Sequence, residues 1–203
     1  MIARKIEPKM IDFLDKKLAK VGMAQKAIDD NNPRLLFIEA ARVCVGIREE
    51  GGNNSGPLVE LIQETIGSHS QEAWCMALLQ TLIAYVEYKL AVVSPIFPSE
   101  HCLTVWDKTD KKARVQSFPL PGAIIIWQHG TSQSGHTGVF LEVLLDHNSS
   151  AMMLTIEGNT TKGIGPKGEV VRDGGGVYVC ERNMKSSGDM HVLGFLKPFE
   201  YKA

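Results

Sequence analysis

The sequence predicts an α+β fold, with N-terminal helices packed against a C-terminal antiparallel β-sheet. Three observations predict it. Up to Leu90, apolar residues recur largely at three- and four-residue steps, the pattern of helices that bury one face. From Gly122 onward the apolar runs are short, β-branched or alternating, and turn residues separate them. Helices precede strands without the alternation of a βαβ chain, so the helices belong on one face of an antiparallel sheet.

From Pro8 to about Asp29 the spacing of Met10, Phe13, Leu14, Leu18 and Val21 predicts one amphipathic helix. Asn31-Asn32-Pro33 breaks it, and Pro33 suits the first turn of a second helix over Leu35 to Ile47. Glu49-Glu50-Gly51-Gly52-Asn53-Asn54 ends that helix. Ser55-Gly56-Pro57 then opens a third, Leu58 to Ile66, with Gly67 as its stop. Trp74 to Leu90 is apolar almost all round, which predicts a buried central helix. Residues 95–121 carry four prolines and mixed charges with little periodicity, and read as a long connection or a short irregular element.

Strands are predicted over Ala123–Trp127, Thr137–Leu145, Ala151–Glu157, Gly176–Glu181 and Val192–Leu196. Asp146-His147-Asn148-Ser149-Ser150 reads as a hairpin connection. The one plausible boundary lies near Asn31–Pro33, dividing a helical extension, residues 1–32, from a main domain, residues 33–203.

The chain has 203 residues, 44% hydrophobic and 22% charged, a composition that excludes a disordered polymer. A formal net charge of −1 gives no reason to expect nucleic acid or an anionic membrane as partner. No stretch is long and apolar enough to span a bilayer. The charged segment Met1 to Lys9 leads into no apolar signal core, so synthesis in the cytoplasm without a signal peptide is expected. Four scattered cysteines (Cys44, Cys75, Cys102, Cys180) form no C-x-x-C pair, which argues against a disulfide scaffold. At least three of them are expected to be buried or incidental.

Cys75 begins the central helix, in Gln71-Glu72-Ala73-Trp74-Cys75-Met76-Ala77. A thiol there meets the positive end of the helix dipole and backbone N–H groups without intrahelical partners, and both favour the nucleophilic thiolate. The backbone N–H of Cys75 can also face a developing oxyanion. Taken alone, Cys75 reads equally as a small core residue on an apolar helix. His136 opens a strand between Gly135 and Thr137-Gly138, rigid yet reachable, a good place for a general base. Alone it is also an ordinary turn histidine. Glu157 ends another strand, and on a neighbouring strand it would hold the second nitrogen of His136, with Asn159 adding a hydrogen bond near the ring. A strand ending in a polar turn is the bland account of the same residues.

Taken in order, these pieces resemble the CHAP amidase/peptidase family, a branch of the papain-like NlpC/P60 group. The resemblance rests on Glu49-Glu50-Gly51-Gly52-Asn53-Asn54-Ser55-Gly56-Pro57, Trp74-Cys75, Pro121-Gly122-Ala123-Ile124-Ile125-Ile126-Trp127, Gly135-His136-Thr137-Gly138, Glu157-Gly158-Asn159-Thr160 and Gly174-Gly175-Gly176-Val177-Tyr178. It runs from about Arg34 to Phe199. It implies a papain-like fold and a peptidoglycan hydrolase cutting an amide bond. Cys75 would be the nucleophile, His136 the base, and Glu157 with Asn159 the groups that orient His136. Either a stem-peptide endopeptidase or an N-acetylmuramoyl-L-alanine amidase is consistent with it. A phage or prophage lysin, released through a holin, or an antibacterial effector, released by a secretion machine, would suit the expected lack of a signal peptide. Ala123 stands where similar proteins often carry an acidic residue, and no wall-binding module is expected to follow the domain. Wall affinity is then expected from the catalytic domain, the first helix or a partner.

Other signals carry less. Gly163-Ile164-Gly165-Pro166-Lys167-Gly168 matches a dinucleotide fingerprint formally, but Glu169-Val170-Val171 continues extended where a helix is required, so a glycine-rich hairpin is expected. No zinc spacing is present, and the region of Glu49 to Asn54 lacks a D-x-D-x-D calcium pattern, so no metal and no cofactor are expected. Trp74, beside the nucleophile, is a candidate wall for a sugar ring, Trp127 reads as core, and Gln71 is a candidate oxyanion donor. Two other functions stay open: a non-catalytic wall-binding or phage-tail assembly module on the same fold, and an intracellular thiol protease or deamidase. The oligomeric state is not legible.

Overall fold

The structure is a computed structural model that describes residues 4–145, 151–160 and 175–200. Its order is α1 (Pro8–Leu18), α2 (Gly22–Asp29), α3 (Pro33–Cys44), α4 (Pro57–Glu64), α5 (Cys75–Leu90) and α6 (Cys102–Lys108). A 3₁₀ turn (Lys111–Ala113) and strands β1 (Ile124–His129), β2 (Gly135–Leu145), β3 (Ala151–Thr160), β4 (Gly176–Asn183) and β5 (Met190–Leu196) follow. The strands form one sheet in the order β4-β3-β2-β1-β5, antiparallel at every pairing. The fold is therefore α+β, with helices against the sheet.

The centre is α5. Every residue from Cys75 to Val86 is buried, as its all-round apolar sequence requires, and it packs against α3, α4, β2 and β3. The sheet's helix-facing side adds Ile124, Ile126, Val139, Ile156, Val177 and Leu196 to this core. A smaller core on the other side gathers Ala123, Ile125, Trp127, Phe140 and Met153. The alternation of these two sets along each strand is the period-two pattern read from the sequence.

Two predicted elements differ. The single helix over 8–29 is two, because α1 ends at Leu18 and Val21 is extended (φ −113°) before α2 begins at Gly22. In one continuous helix Ala27 would face about 180° away from Leu18. The break lets Met10, Leu14 and Leu18 on α1 and Ala24 and Ala27 on α2 enter the same core. The segment 95–121 is not only a connection: it contains α6, whose buried face is Cys102 and Val105 and which packs on β1 and β2. Seven residues between prolines are too few to show a helical period.

Helices α1 and α2 dock on the rest of the chain rather than lying beside it. Tyr85 Oη donates to Asp15 Oδ1 (2.6 Å), and Lys89 Nζ lies 3.0 Å from the same carboxylate. Arg4 donates to Gln80, Glu87 and the Ile96 carbonyl, tying the N-terminal arm to α5. The predicted hairpin Asp146–Ser150, the Gly163–Gly168 segment with Glu169–Val171, and Gly174 lie outside the described residues. Among the described residues no helix is long and apolar enough to cross a membrane.

Candidate active site

The start of α5 is held by Trp74. This residue is fully buried, takes the N-cap position with non-helical backbone (φ −116°, ψ 14°), and donates from Nε1 to Glu49 Oε1 at 2.9 Å. No side chain caps the helix, so Cys75, its first residue, stands among first-turn N–H groups that have no intrahelical partner. The Met76 N–H donates to the Cys75 sulfur.

His136 stands directly opposite Trp127 in the β1–β2 register, and the two rings stack (centroids 5.7 Å apart, 22° between planes). Its Nε2 lies 2.9 Å from Glu157 Oε2. An ionised carboxylate can only accept, so Nε2 carries the hydrogen and Nδ1 is left to exchange a proton with Cys75. Glu157 is fully buried and receives four donors. Thr155 Oγ1 (2.6 Å) and Arg182 Nε (2.9 Å) reach Oε1, while Arg182 Nη2 (2.5 Å) and His136 Nε2 reach Oε2.

Glycines allow these groups to meet. A Cβ on Gly158 would lie 2.7 Å from Leu78 Cδ2 and 3.1 Å from Trp74 Cζ3, so the bare backbone lets β3 run against α5 beside Cys75. A Cβ on Gly138 would lie 2.8 Å from Glu157 Cγ, so that glycine makes room for the acid.

The electrostatics follow from these contacts. The Cys102 thiol, 3.8 Å from the Cys75 sulfur, donates to it and does most to hold the Cys75 pKa well below the usual thiol range. Burial opposes this, and His136 and the Met76 N–H reinforce it. Burial alone would lower the His136 pKa, but its hydrogen bonds and charge interactions with Cys75 and Glu157 outweigh burial and raise it to about 10. Burial likewise disfavours ionised Glu157, yet Arg182 and His136 hold its pKa well below the carboxylate norm. These shifts favour a thiolate–imidazolium pair over a buried carboxylate at neutral pH. The other two thiols are inert by comparison: burial pushes Cys44 and Cys180 each up to about 12.

Cys75 opens into a cleft of about 540 Å³ whose walls include Glu72, Ala73, His101, Cys102 and Ser134. A smaller cavity of about 190 Å³ has Trp127 and Arg182 in its wall but holds neither the thiol nor the imidazole.

The structure thus brings Cys75, His136 and Glu157 together and leaves the other candidates elsewhere. Asn159 sits in the bulge that interrupts the β3–β4 register, with φ 51°, and gives His136 no hydrogen bond. Trp74 supports the helix start from within the core and presents no ring to the cleft, while Gln71 is exposed with φ 71° and does not line it. Three contributors went unread in the sequence: Arg182, Thr155 and Cys102. Thr155 carried a usable signal, since it lies two residues before Glu157 on a strand and so shares its face. Among the described residues no group of three or more His, Cys, Asp or Glu is placed to hold a metal ion.

The arrangement can attack a carbonyl carbon with sulfur, protonate a leaving group from the imidazolium, and offer the helix-start N–H of Cys75 to an oxyanion. No family model, no curated protein and no solved structure matches the chain.

Proposed function

We propose that this protein is a CHAP-like cysteine hydrolase that cleaves an amide bond of peptidoglycan. The observation that carries the reading is the contiguity of a helix-start thiol, an imidazole and a fully buried carboxylate at the edge of an open cleft. Peptidoglycan as the substrate class rests on the resemblance of the motifs around these three residues. Action on the wall would follow release through a phage holin or a secretion machine.

In the proposed cycle the Cys75 thiolate adds to the scissile carbonyl carbon, and the oxyanion is met by the backbone N–H of Cys75 at the start of α5. His136 passes its Nδ1 proton to the departing amine, leaving a thioester on Cys75. Water then attacks the thioester with neutral His136 as base, releasing the acid and restoring the ion pair. Glu157 takes no proton. Held by Arg182 and Thr155, it fixes the imidazole's orientation and stabilises its cationic form.

The test compares the protein with its Cys75→Ala variant on purified peptidoglycan, with released fragments weighed by mass spectrometry. Soluble muropeptides or stem peptides from the wild type alone are expected, and the fragment masses identify the bond. Equal release by both proteins would remove Cys75 from the mechanism. No release by either would favour a non-catalytic wall-binding or assembly module.

A further inference from the structure

The second thiol in the cleft lowers the Cys75 pKa through its hydrogen bond, yet it forms no bond and moves no proton in the hydrolytic cycle. Cys102 is the first residue of α6, and its sulfur lies 3.8 Å from that of Cys75, while the other two cysteines make no such approach. The two residues are 7% and 5% exposed, and both line the same cleft, the side from which a small oxidant would approach. We propose that Cys75 and Cys102 form a reversible oxidation site, a disulfide that disables the nucleophile under peroxide and that thiols reopen.

The geometry is favourable. A disulfide bond is about 2.05 Å long, so the sulfurs must approach by roughly 1.8 Å. The adjustment falls mainly on Cys102, which stands at a junction where extended His101 (φ −93°, ψ 118°) meets a helix of seven residues. Cys75, at the start of the rigid central helix, need move little.

The chemistry balances in two steps. The Cys75 thiolate attacks one oxygen of a hydroperoxide; the O–O bond breaks, sulfur is oxidised to the sulfenic acid, and the peroxide's other oxygen leaves as water or alcohol after taking a proton. The Cys102 sulfur then attacks the sulfenic sulfur, an S–S bond forms, and hydroxide leaves with the Cys102 proton as water. A dithiol reverses the state by exchange, becoming a disulfide itself while both cysteines return as thiols. Cys75 is the attacking partner because its sulfur is held as thiolate, whereas the Cys102 thiol keeps its proton in the hydrogen bond to Cys75. The arrangement also protects the enzyme. Condensation with Cys102 competes with further oxidation of the sulfenic acid to the irreversible sulfinic form.

The proposal takes from the preceding section only that Cys75 is the reactive thiol, and its test needs no substrate. The full chain is treated with hydrogen peroxide, denatured, alkylated and weighed intact, with and without later dithiothreitol. The wild type is expected to lose two hydrogens and two of its four alkylatable thiols, to yield one cross-linked peptide joining residues 75 and 102, and to regain all four thiols after dithiothreitol. The Cys102→Ser variant is expected to gain oxygen on Cys75 that dithiothreitol does not fully remove. Stable oxygen adducts on Cys75 in the wild type would overturn the proposal, as would a cross-link to Cys44 or Cys180, or four free thiols after an exposure that oxidises Cys75 in the variant. The wild-type measurement alone decides if the variant does not fold.

Discussion

At the scale of single residues, the least replaceable contact is that between Arg182 and Glu157. A fully buried carboxylate is stable only when its charge is matched, and Arg182 supplies two of its four hydrogen bonds. Arg182→Met would leave Glu157 with Thr155 and His136 alone. Because Arg182 is itself part-exposed, the expected loss is on the order of 2–3 kcal/mol in urea unfolding, below the full cost of stranding a buried charge. Arg182→Lys would recover part of the stability but not the two-pronged contact. Glu157→Gln keeps the shape and removes the charge, so turnover should fall by about 100-fold or more with substrate binding little changed. The folded pKa of Glu157 lies below its unfolded value of about 4.3, so its stabilisation is complete above that pH and is lost as pH falls through the folded value. Urea titrations over acid pH should show this slope in the wild type and its reduction in Glu157→Gln. His136 behaves oppositely. Its stabilisation is present below about 6.5 and is lost as pH rises through about 10, and the alkaline limb of kcat/KM should fall there too, once the imidazole can no longer protonate the leaving group.

At the scale of elements, the site exists because two element ends meet: the first turn of α5 and the last residues of β3. Gly158 sets their distance. Gly158→Ala would drive a methyl group into Leu78 and the Trp74 ring, both buried in the core, and push β3 away from α5. A loss of about 1–3 kcal/mol in stability is expected from the overpacking. The loss of turnover should be proportionally larger than in a core variant of equal stability, which paired kinetic and unfolding measurements would show. The same elements explain what the sequence made legible. Cys75, His136 and Glu157 were readable because each lies at or near the end of a strongly patterned element. Arg182 was not, because it stands opposite Met153 in the β3–β4 register and reaches along the sheet to Glu157, past its own nearest neighbours. Cys102 was hidden in a proline-rich segment whose path, and whose short helix α6, no periodicity announces. Asn159, expected to hydrogen-bond near the ring, stands instead in the register shift between Glu157 and Thr160 and gives His136 no hydrogen bond, a bulge that no strand pattern announces.

At the scale of the whole molecule, one core joins helices and sheet. The break between α1 and α2 belongs to that unity, since it turns Ala24 and Ala27 onto the surface that Met10, Leu14 and Leu18 also cover. Deleting residues 1–32 would uncover α3 and part of α5 and remove the Asp15–Tyr85 hydrogen bond. The shortened chain is expected to unfold at markedly lower urea concentration, or to aggregate through the bared apolar face. An unchanged midpoint would mark those residues as a separable extension. A larger consequence concerns chemistry: the fold buries three of its four thiols, Cys44 within the core and Cys75 with Cys102 at one cleft, and of these only Cys75, at the start of α5, has its pKa lowered.

That ionisation is tested most directly by the pH dependence of Cys75 alkylation by iodoacetamide, followed site by site on the intact protein. The thiolate–imidazolium pair predicts a rate already near its plateau at pH 7, and a shift of the plateau toward higher pH in His136→Ala. A rate that climbs about tenfold per pH unit up to roughly pH 8.5, as an ordinary thiol does, would contradict it.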